Sequence, residues 1–368
     1  MTADVAQTVR TVGTERSAGG TSIDTERSAG GTSIDTDVHC VPASLAELAD
    51  HLAPYWRDYV REGGVSLSPT QGGAYPQGVA PGGRPVCEVA ELGERVLGPD
   101  GTDVAILTCT STFQTNRNPY YEAALCSAVN DWLLTRWQAR DPRLRVALVV
   151  PTLDTDAAVA EIDRLGTLPE VVTVLLPVRN DTRWGHVRNR PVLRAAAVHD
   201  LVVTLHAWGR AGQAPSSSGM THTYLEDYLA NGQIAQAQLT SLVTEGVFAE
   251  FPGLRVTVAE CGSTWLPPLL WRFDKDWKGV WREVPWVGRP PSELVREHVR
   301  FTTAPIHLPP DPAQAREVVD LLGPELLMHA GDHPHHHGPG ADRLAEVLDT
   351  SELAAVRGGT AAGWYRLR

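Results

Sequence analysis

The chain is nearly devoid of lysine: only Lys275 and Lys278 occur among its 368 residues, and arginine supplies every other basic side chain. Both lysines fall within a predicted helix. P-loops, Schiff bases, pyridoxal sites and carbamylated bridging lysines all need a lysine at a defined place, which this sequence does not offer. The motifs G-x-S-x-G and H-E-x-x-H are absent as well. Any chemistry must therefore depend on His, Asp and Glu.

Long apolar runs and an excess of positive charge are also missing. No apolar stretch reaches the ~18 residues of a membrane span, and the N-terminus lacks the apolar core of a signal peptide. The net charge of −12 argues against nucleic acid as a partner. The five cysteines are an odd number without a C-x-x-C pair, which favours a reduced chain. We therefore expect a cytoplasmic protein that acts on a small molecule and has no membrane partner.

The first part of the chain is unlike the rest. Residues 14–24 and 25–35 are a perfect tandem duplication of TERSAGGTSID. Each copy is rich in Gly, Ser and Thr and has one large aliphatic residue, which is too little to bury a core. We predict a disordered tail over 1–35 and one folded domain over 36–368.

Eight short β-branched runs recur along the domain and alternate with helical segments. The predicted strands are 37–41, 103–108, 145–150, 171–178, 201–205, 255–258, 300–303 and 326–330. The predicted helices are 44–61 (with a capping box of Ser44 and Glu47), 120–138, 154–165, 191–199, a long one within 221–251, 264–278 and 312–322. Unalternating apolar runs are typical of parallel strands buried on both faces. The pattern predicts an α/β fold, a (β/α)8 TIM barrel; a doubly wound open sheet is the alternative, but it would normally display a Gly-rich first turn.

Metal-ligand residue types stand at the carboxyl ends of four predicted strands. They are Asp37 and His39 on strand one, His206 after strand five, Glu260 after strand six and Asp332 after strand eight. Barrel enzymes place their chemistry at this face. Two imidazoles with two or three carboxylates suit one divalent cation, with Zn²⁺ as the first choice and Mn²⁺ as the second. Each residue alone could be a packing residue, and the coincidence of four strand ends favours a site.

The loops that follow the strands carry side chains suited to a planar anionic substrate. Arginine binds carboxylates through two hydrogen bonds, and tryptophan offers a flat apolar wall. The candidate substrate-binding residues are Arg117, Arg183, Trp184, Trp208 and His307. Within the histidine run of 333–337, His335 is expected to support Asp332, and at least two of the imidazoles are expected in a solvated loop.

Several short motifs occur together in this part of the chain. They are Asp37-x-His39, Leu205-His206, FPGLR at 251–255, WLP at 265–267, RFD at 272–274, GDHPH at 331–335 and GGTAA at 358–362. From about residue 36 to the end, the sequence resembles the amidohydrolase-related family of metal-dependent barrel enzymes, in particular its aminocarboxymuconate-semialdehyde decarboxylase-like members. The resemblance implies one metal held by Asp37, His39, His206 and Asp332, and a homodimer. The family usually has His-x-His or Glu-x-His on strand one and a histidine on strand six, where this chain has Asp37 and Glu260.

Three functions remain open at this point. We expect first a metal-dependent hydrolase acting on a small aromatic or cyclic carboxylate, in which Asp332 orients a metal-activated water and takes its proton. Glu260 would be the general acid or would join the metal ligands. The alternative is a non-oxidative carboxy-lyase (decarboxylase) on the same metal site, with Glu260 in place of the usual histidine. The third is an inactive barrel that has kept a binding role.

Overall fold

The computed structural model describes residues 32–63, 88–98, 101–110, 118–209, 214–216, 219–335, 337 and 339–367. Within them, eight parallel strands form one sheet in chain order. The strands are β1 (Ile34–His39), β2 (Val104–Thr108), β3 (Leu144–Val149), β4 (Val171–Arg179), β5 (Val202–Gly209), β6 (Val256–Ala259), β7 (Val299–Thr302) and β8 (Leu327–Met328). Backbone hydrogen bonds from Thr36 N to His329 O (3.1 Å) and from His39 N to His333 O (2.9 Å) join the two ends of the sheet. The predicted (β/α)8 barrel is confirmed.

Helices fill the connections between the strands. They are α1 (Leu45–Leu48), α2 (Pro54–Gly63), α3 (Val89–Leu92), α4 (Pro119–Trp132), α5 (Thr155–Leu165), α6 (Arg190–Val198), α7 (Tyr224–Thr244), α8 (Val247–Glu250), α9 (Leu266–Val280), α10 (Pro291–His298), α11 (Pro312–Leu322), α12 (Gly340–Val347), α13 (Thr350–Ala354) and α14 (Thr360–Trp364). The predicted helix over 312–322 has the observed bounds of α11. In the part of the chain that is described, no helix is both long and apolar enough to cross a membrane.

The predicted helix over 44–61 is wrong in one respect, because it is broken into α1 and α2. The chain is extended at Leu52 (φ −88°, ψ 144°), and Pro54 then opens a new helix at a position where its missing N–H costs nothing. The expected capping box does not form. Ser44 makes no side-chain cap, and Glu47 instead accepts a hydrogen bond from Ala43 N (2.6 Å).

Two strand bounds differ in ways that affect the site. β1 begins at Ile34, inside the range assigned to the tail, and both Ile34 and Asp35 are buried. β5 continues to Gly209, so that His206 lies within the strand and its side chain is fixed by the sheet. The remaining residues of the predicted tail, 1–31, lie outside the described residues.

The carboxyl-terminal segment covers part of the sheet interior. The indole of Trp364 and the hydroxyl of Tyr365 both donate to Thr257 Oγ1 on β6, at 3.1 and 3.0 Å. Burial raises the pKa of Tyr365 to about 12. This contact ties α14 to the second residue of β6, which leaves the carboxyl ends of the strands for the candidate site.

Candidate metal centre

Four segments bring ionisable side chains to one place at the carboxyl ends of the strands. β1 carries Asp37 and His39, β5 carries His206, Glu260 follows β6 directly, and Asp332 follows β8. Glu260 (φ 55°) and Asp332 (φ 49°) both adopt left-handed backbone conformations, which side chains other than glycine rarely occupy. Strain of this kind persists where the surrounding structure enforces it, and it is common at functional sites.

The imidazole of His39 lies among three carboxylates. Its Nε2 is 2.8 Å from Asp332 Oδ1, 3.6 Å from Glu260 Oε1 and 3.8 Å from Asp37 Oδ1. Its Nδ1 is 3.2 Å from the hydroxyl of Thr110. Despite these short distances, Nε2 is not aimed well enough at any acceptor to make a hydrogen bond. Three carboxylates thus surround a nitrogen that makes no hydrogen bond.

His206 is held from one side and unpartnered on the other. Its Nε2 donates to Asp37 Oδ2 (3.0 Å), and Asp37 Oδ1 accepts a 2.5 Å hydrogen bond from the Thr108 hydroxyl. Its Nδ1 lies 3.5 Å from Glu260 Oε2 and makes no hydrogen bond. A buried polar atom without a partner is costly, and most such atoms in proteins are satisfied.

An imidazole nitrogen that binds a metal makes no hydrogen bond within the protein. His39 Nε2 and His206 Nδ1 are two such nitrogens. Each approaches a different oxygen of Glu260, at 3.6 and 3.5 Å. The residues that can offer one ligand atom each within a common 4.8 Å fall into two groups, Asp37, His39, His206 and Glu260, and His39, Glu260, Asp332 and His335. Imidazole and carboxylate donors with these spacings fit a divalent cation such as Zn²⁺ or Mn²⁺.

Asp332 also anchors two residues of the histidine run. His335 Nδ1 donates to Asp332 Oδ1 (2.9 Å), and His337 Nε2 donates to Asp332 Oδ2. The Tyr228 hydroxyl in turn donates to His337 Nδ1 (3.0 Å). The sequence led us to expect His335 beside Asp332, but not His337 or Tyr228. His336 lies outside the described residues.

Asp37, His39, His206, Glu260, Asp332 and His335 form one cluster of ionisable side chains. Its imidazoles determine the charge of its carboxylates. Burial alone would raise the pKa of Asp37, but the charges of His206 and His39 outweigh it and hold that pKa below its usual value. Burial likewise opposes ionisation of Asp332, but its hydrogen bonds with His335 and His337 hold the pKa well below the ordinary range. Both carboxylates are therefore anionic at neutral pH.

The carboxylates act on the imidazoles in the opposite sense. Burial would lower the pKa of His39 and of His206, but the negative charge of Asp37 and its neighbours raises both. The pKa of His335 rises to about 9 against the effect of burial, chiefly through Asp332. Without a metal the cluster thus holds protons on its imidazoles, and a cation would have to displace them.

Two of the predicted substrate-binding residues lie beside the cluster. The Trp208 ring is 5.3 Å from the His206 ring in an edge-on arrangement, and Trp208 is buried. His307 packs against Gly262, where an added Cβ would lie 3.1 Å from the His307 Nδ1. Burial, and then the neighbouring His337, lower the pKa of His307.

The other three predicted substrate-binding residues differ in position. Trp184 is 2% exposed, and its indole donates to Pro177 O (2.7 Å), so it belongs to the packed scaffold. Arg183 is exposed, and among the described residues no hydrogen bond or ion pair joins its side chain to the cluster. Arg117 lies outside the described residues. The sequence could not separate these cases, because each residue was selected only for following a predicted strand along the chain.

The chain is similar to known proteins in its sequence family and in its fold. The family model described as amidohydrolase matches residues 34–367. No curated protein matches the chain in sequence. Similar solved structures include an amidohydrolase from Mycobacterium avium subsp. paratuberculosis K-10 (18% identity, TM-score 0.69, covering 92% of this chain and 100% of the other). A second is a 5-carboxyvanillate decarboxylase from Sphingomonas paucimobilis (20% identity, TM-score 0.62, covering 92% of this chain and 100% of the other). A third is a dihydroxybenzoic acid decarboxylase from Polaromonas sp. JS666 with bound manganese and the inhibitor 2-nitroresorcinol (16% identity, TM-score 0.62, covering 92% of this chain and 98% of the other).

At these identities the structural likeness establishes the barrel fold alone. The family match is of a different kind, because it extends over nearly the whole domain, including every residue of the cluster. The resemblance noted in the sequence is therefore confirmed, and the chain belongs to the amidohydrolase family of enzymes.

Proposed function

We propose that the protein is a metal-dependent carboxy-lyase that removes carbon dioxide from a small aromatic or cyclic acid. The observation that carries the proposal is the buried cluster in which the unpaired nitrogens of His39 and His206 face the carboxylate of Glu260. Two similar solved structures are decarboxylases of aromatic acids, and one of them holds manganese. This evidence favours the carboxy-lyase over the hydrolase that the sequence led us to expect first.

The metal would be held by His39, His206 and Asp332 together with one further carboxylate, from Asp37 or Glu260. Two imidazoles and two carboxylates suit Zn²⁺ or Mn²⁺. When bound, the cation would supply positive charge that attracts the substrate carboxylate and stabilises negative charge on the oxygen of an adjacent substrate hydroxyl.

The chain's own residues would handle the proton. Decarboxylation forms a C–H bond at the ring carbon, and the electron pair of the broken C–C bond returns to the ring as carbon dioxide leaves. We assign the proton donor to His335, because its side chain is 42% exposed while its Nδ1 is held by Asp332. Glu260 lies 3.5 Å from His335 Nδ1 but is a poor donor, because the charge of His206 and the neighbouring imidazoles lower its pKa against the effect of burial. A general acid of this kind contributes about 10²–10⁴-fold to a rate.

Hydrolysis is the second candidate, and the second carboxylate beside His39 favours it. Glu260 stands where the family usually has a histidine, and its side chain is 15% exposed, so it could accept a proton from water and pass it to a leaving group. Asp332 is poorly suited to that task, because both its oxygens already accept hydrogen bonds from His335 and His337.

The test compares two assays on the same metal-reconstituted protein. Carbon dioxide release is measured with a panel of hydroxybenzoates, and cleavage is measured with a panel of esters, lactones and amides. The variant His206→Ala removes a proposed ligand, and His199→Ala removes a histidine paired with Asp163 outside the cluster. Carbon dioxide release by the wild type and by His199→Ala, but not by His206→Ala, supports the proposal. Ester or amide cleavage without carbon dioxide release would replace it with the hydrolase.

Three further proposals concern the partners of the protein and its place in the cell. We propose a small-molecule substrate and a homodimer in the cytoplasm, as the sequence and the family resemblance imply. Light scattering on the purified protein measures the mass in solution, and a mass near twice 39.9 kDa is the expected result.

A further inference from the structure

Both carboxylate oxygens of Asp37 accept hydrogen bonds. One of its oxygens accepts from the Thr108 hydroxyl (2.5 Å), and the other accepts from His206 Nε2 (3.0 Å). Its nearest approach to the unpaired His39 Nε2 is 3.8 Å, and its side chain is fully buried. An imidazole that binds a metal through one nitrogen commonly donates the N–H of the other to a carboxylate. Asp37 occupies that carboxylate position behind His206.

Glu260 occupies the opposite position, in front of both imidazoles. Its Oε2 is 3.5 Å from His206 Nδ1, and its Oε1 is 3.6 Å from His39 Nε2. Neither nitrogen makes a hydrogen bond. Two ligand atoms on one tetrahedral zinc, each about 2.1 Å from the ion, are about 3.4 Å apart. Both observed spacings match the separation of atoms that share a cation, and both exceed the 2.7–2.9 Å typical of a charge-assisted hydrogen bond.

The backbone supports the same assignment. Glu260 is the first residue after β6 and has a left-handed conformation, and Gly262 two residues later is left-handed as well (φ 64°). A strained turn at a non-glycine residue is maintained only where the surrounding structure enforces it. Here the turn accompanies a glutamate whose two oxygens lie between the imidazoles of β1 and β5.

We propose that Glu260 is the ligating carboxylate, together with His39, His206 and Asp332, and that Asp37 is a positioning residue that holds His206 through its Nε2. The inference rests on the metal site of the proposed function. The sequence left Glu260 open as general acid or metal ligand, and the inference chooses the ligand; it also removes Asp37 from the ligand set that the family resemblance implies. Proton donation then falls to His335.

Metal titration of the metal-free protein tests the assignment. Zn²⁺ affinity is measured by competition with a chelator, and Co²⁺ absorption reports the ligand set independently of activity. Glu260→Gln keeps the shape of the side chain but removes its charge, so we expect Zn²⁺ binding to weaken by more than about 100-fold, beyond the 10–100-fold typical of a residue behind a ligand. The Co²⁺ spectrum should change. Glu260→Asp should recover part of the affinity.

Two matched variants, at Asp37 and Thr108, change the residues on the Nε2 side of His206. Asp37→Asn should weaken Zn²⁺ binding by about 10–100-fold and leave the Co²⁺ spectrum close to that of the wild type. Thr108→Val removes the hydroxyl on Asp37 Oδ1 and should act in the same direction by a smaller factor, which covers the case in which Asp37→Asn does not fold. In the zinc-loaded wild type, nitrogen NMR should show His206 protonated at Nε2, and Asp37→Asn should shift that signal.

The outcomes separate this inference from the function on which it rests. If Asp37→Asn changes the Co²⁺ spectrum and Glu260→Gln binds Zn²⁺ like the wild type, Asp37 is the ligand and the inference is overturned. The carboxy-lyase then keeps its metal site. If the wild type binds neither Zn²⁺ nor Co²⁺, the proposed function and the inference are both overturned.

Discussion

The metal-free protein should lose stability as the pH rises from about 6.5 to about 9. The pKa values of His39, His206 and His335 are all raised in the folded state by the neighbouring carboxylates. A histidine with a raised folded pKa binds its proton more tightly when folded, so its contribution to stability is complete below about 6.5, its unfolded pKa. That contribution is lost as the pH passes through the folded pKa. Metal binding needs unprotonated imidazoles, so the zinc-loaded protein should show the opposite trend.

The raised pKa of His335 sets an upper limit on its share of this pH dependence. Its pKa rises from 6.5 to about 9, which corresponds to an upper limit of about 3.4 kcal/mol at ~1.36 kcal/mol per pKa unit. Its side chain is 42% exposed, and solvent screening reduces that limit to about 1–2 kcal/mol. For a folded domain of this size, the change amounts to roughly 1.5–3 °C in Tm. The two buried histidines add to it in the same direction.

The assay is calorimetry on chelator-treated protein at pH 6.5 and pH 9.0, with and without Zn²⁺. His335→Asn removes the titrating group, and this variant should lose about the His335 share of the pH dependence. In Asp332→Asn, a histidine NMR titration should place the pKa of His335 well below 9, because the main carboxylate that raises it is gone. A metal-free wild type that is equally stable at both pH values would refute the electrostatic account of the cluster.

Three further predictions concern the scaffold and the metal. Gly185→Ala should lower the free energy of unfolding by about 1–3 kcal/mol in a denaturant titration, because the added Cβ would lie 2.3 Å from Ser241 O. The control Gly253→Ala should be neutral in the same titration, because its Cβ would have no heavy atom within 4 Å. Asn130→Ala should cost roughly 2–4 kcal/mol, because Asn130 bonds both Val149 N and Val149 O in the core, and metal content by elemental analysis should be unchanged. Chelator treatment should abolish turnover, and Zn²⁺ or Mn²⁺ should restore it; activity that survives a verified loss of metal would contradict the proposed function.

The sequence determined the fold and the place of the site. Buried parallel strands need unbroken apolar runs, and eight such runs alternating with helices are compatible with few architectures. The strand ends could be located to within a few residues, and this sufficed to select His39, His206, Glu260 and Asp332 as neighbours, because all parallel strands of a barrel end on one face. Local rules failed at 44–61, where Pro54 divides a segment whose composition suits one helix.

Only the tertiary structure decided which atoms of those residues meet. Asp37 and His206 are 169 positions apart, so their hydrogen bond depends on the stagger of strands across the barrel, which no local pattern encodes. The left-handed turn at Glu260 likewise has no local signature, because glutamate normally avoids it. The sequence therefore supplies the set of candidate ligands, and the closure of the barrel assigns Asp37 and Glu260 to opposite sides of the same imidazole.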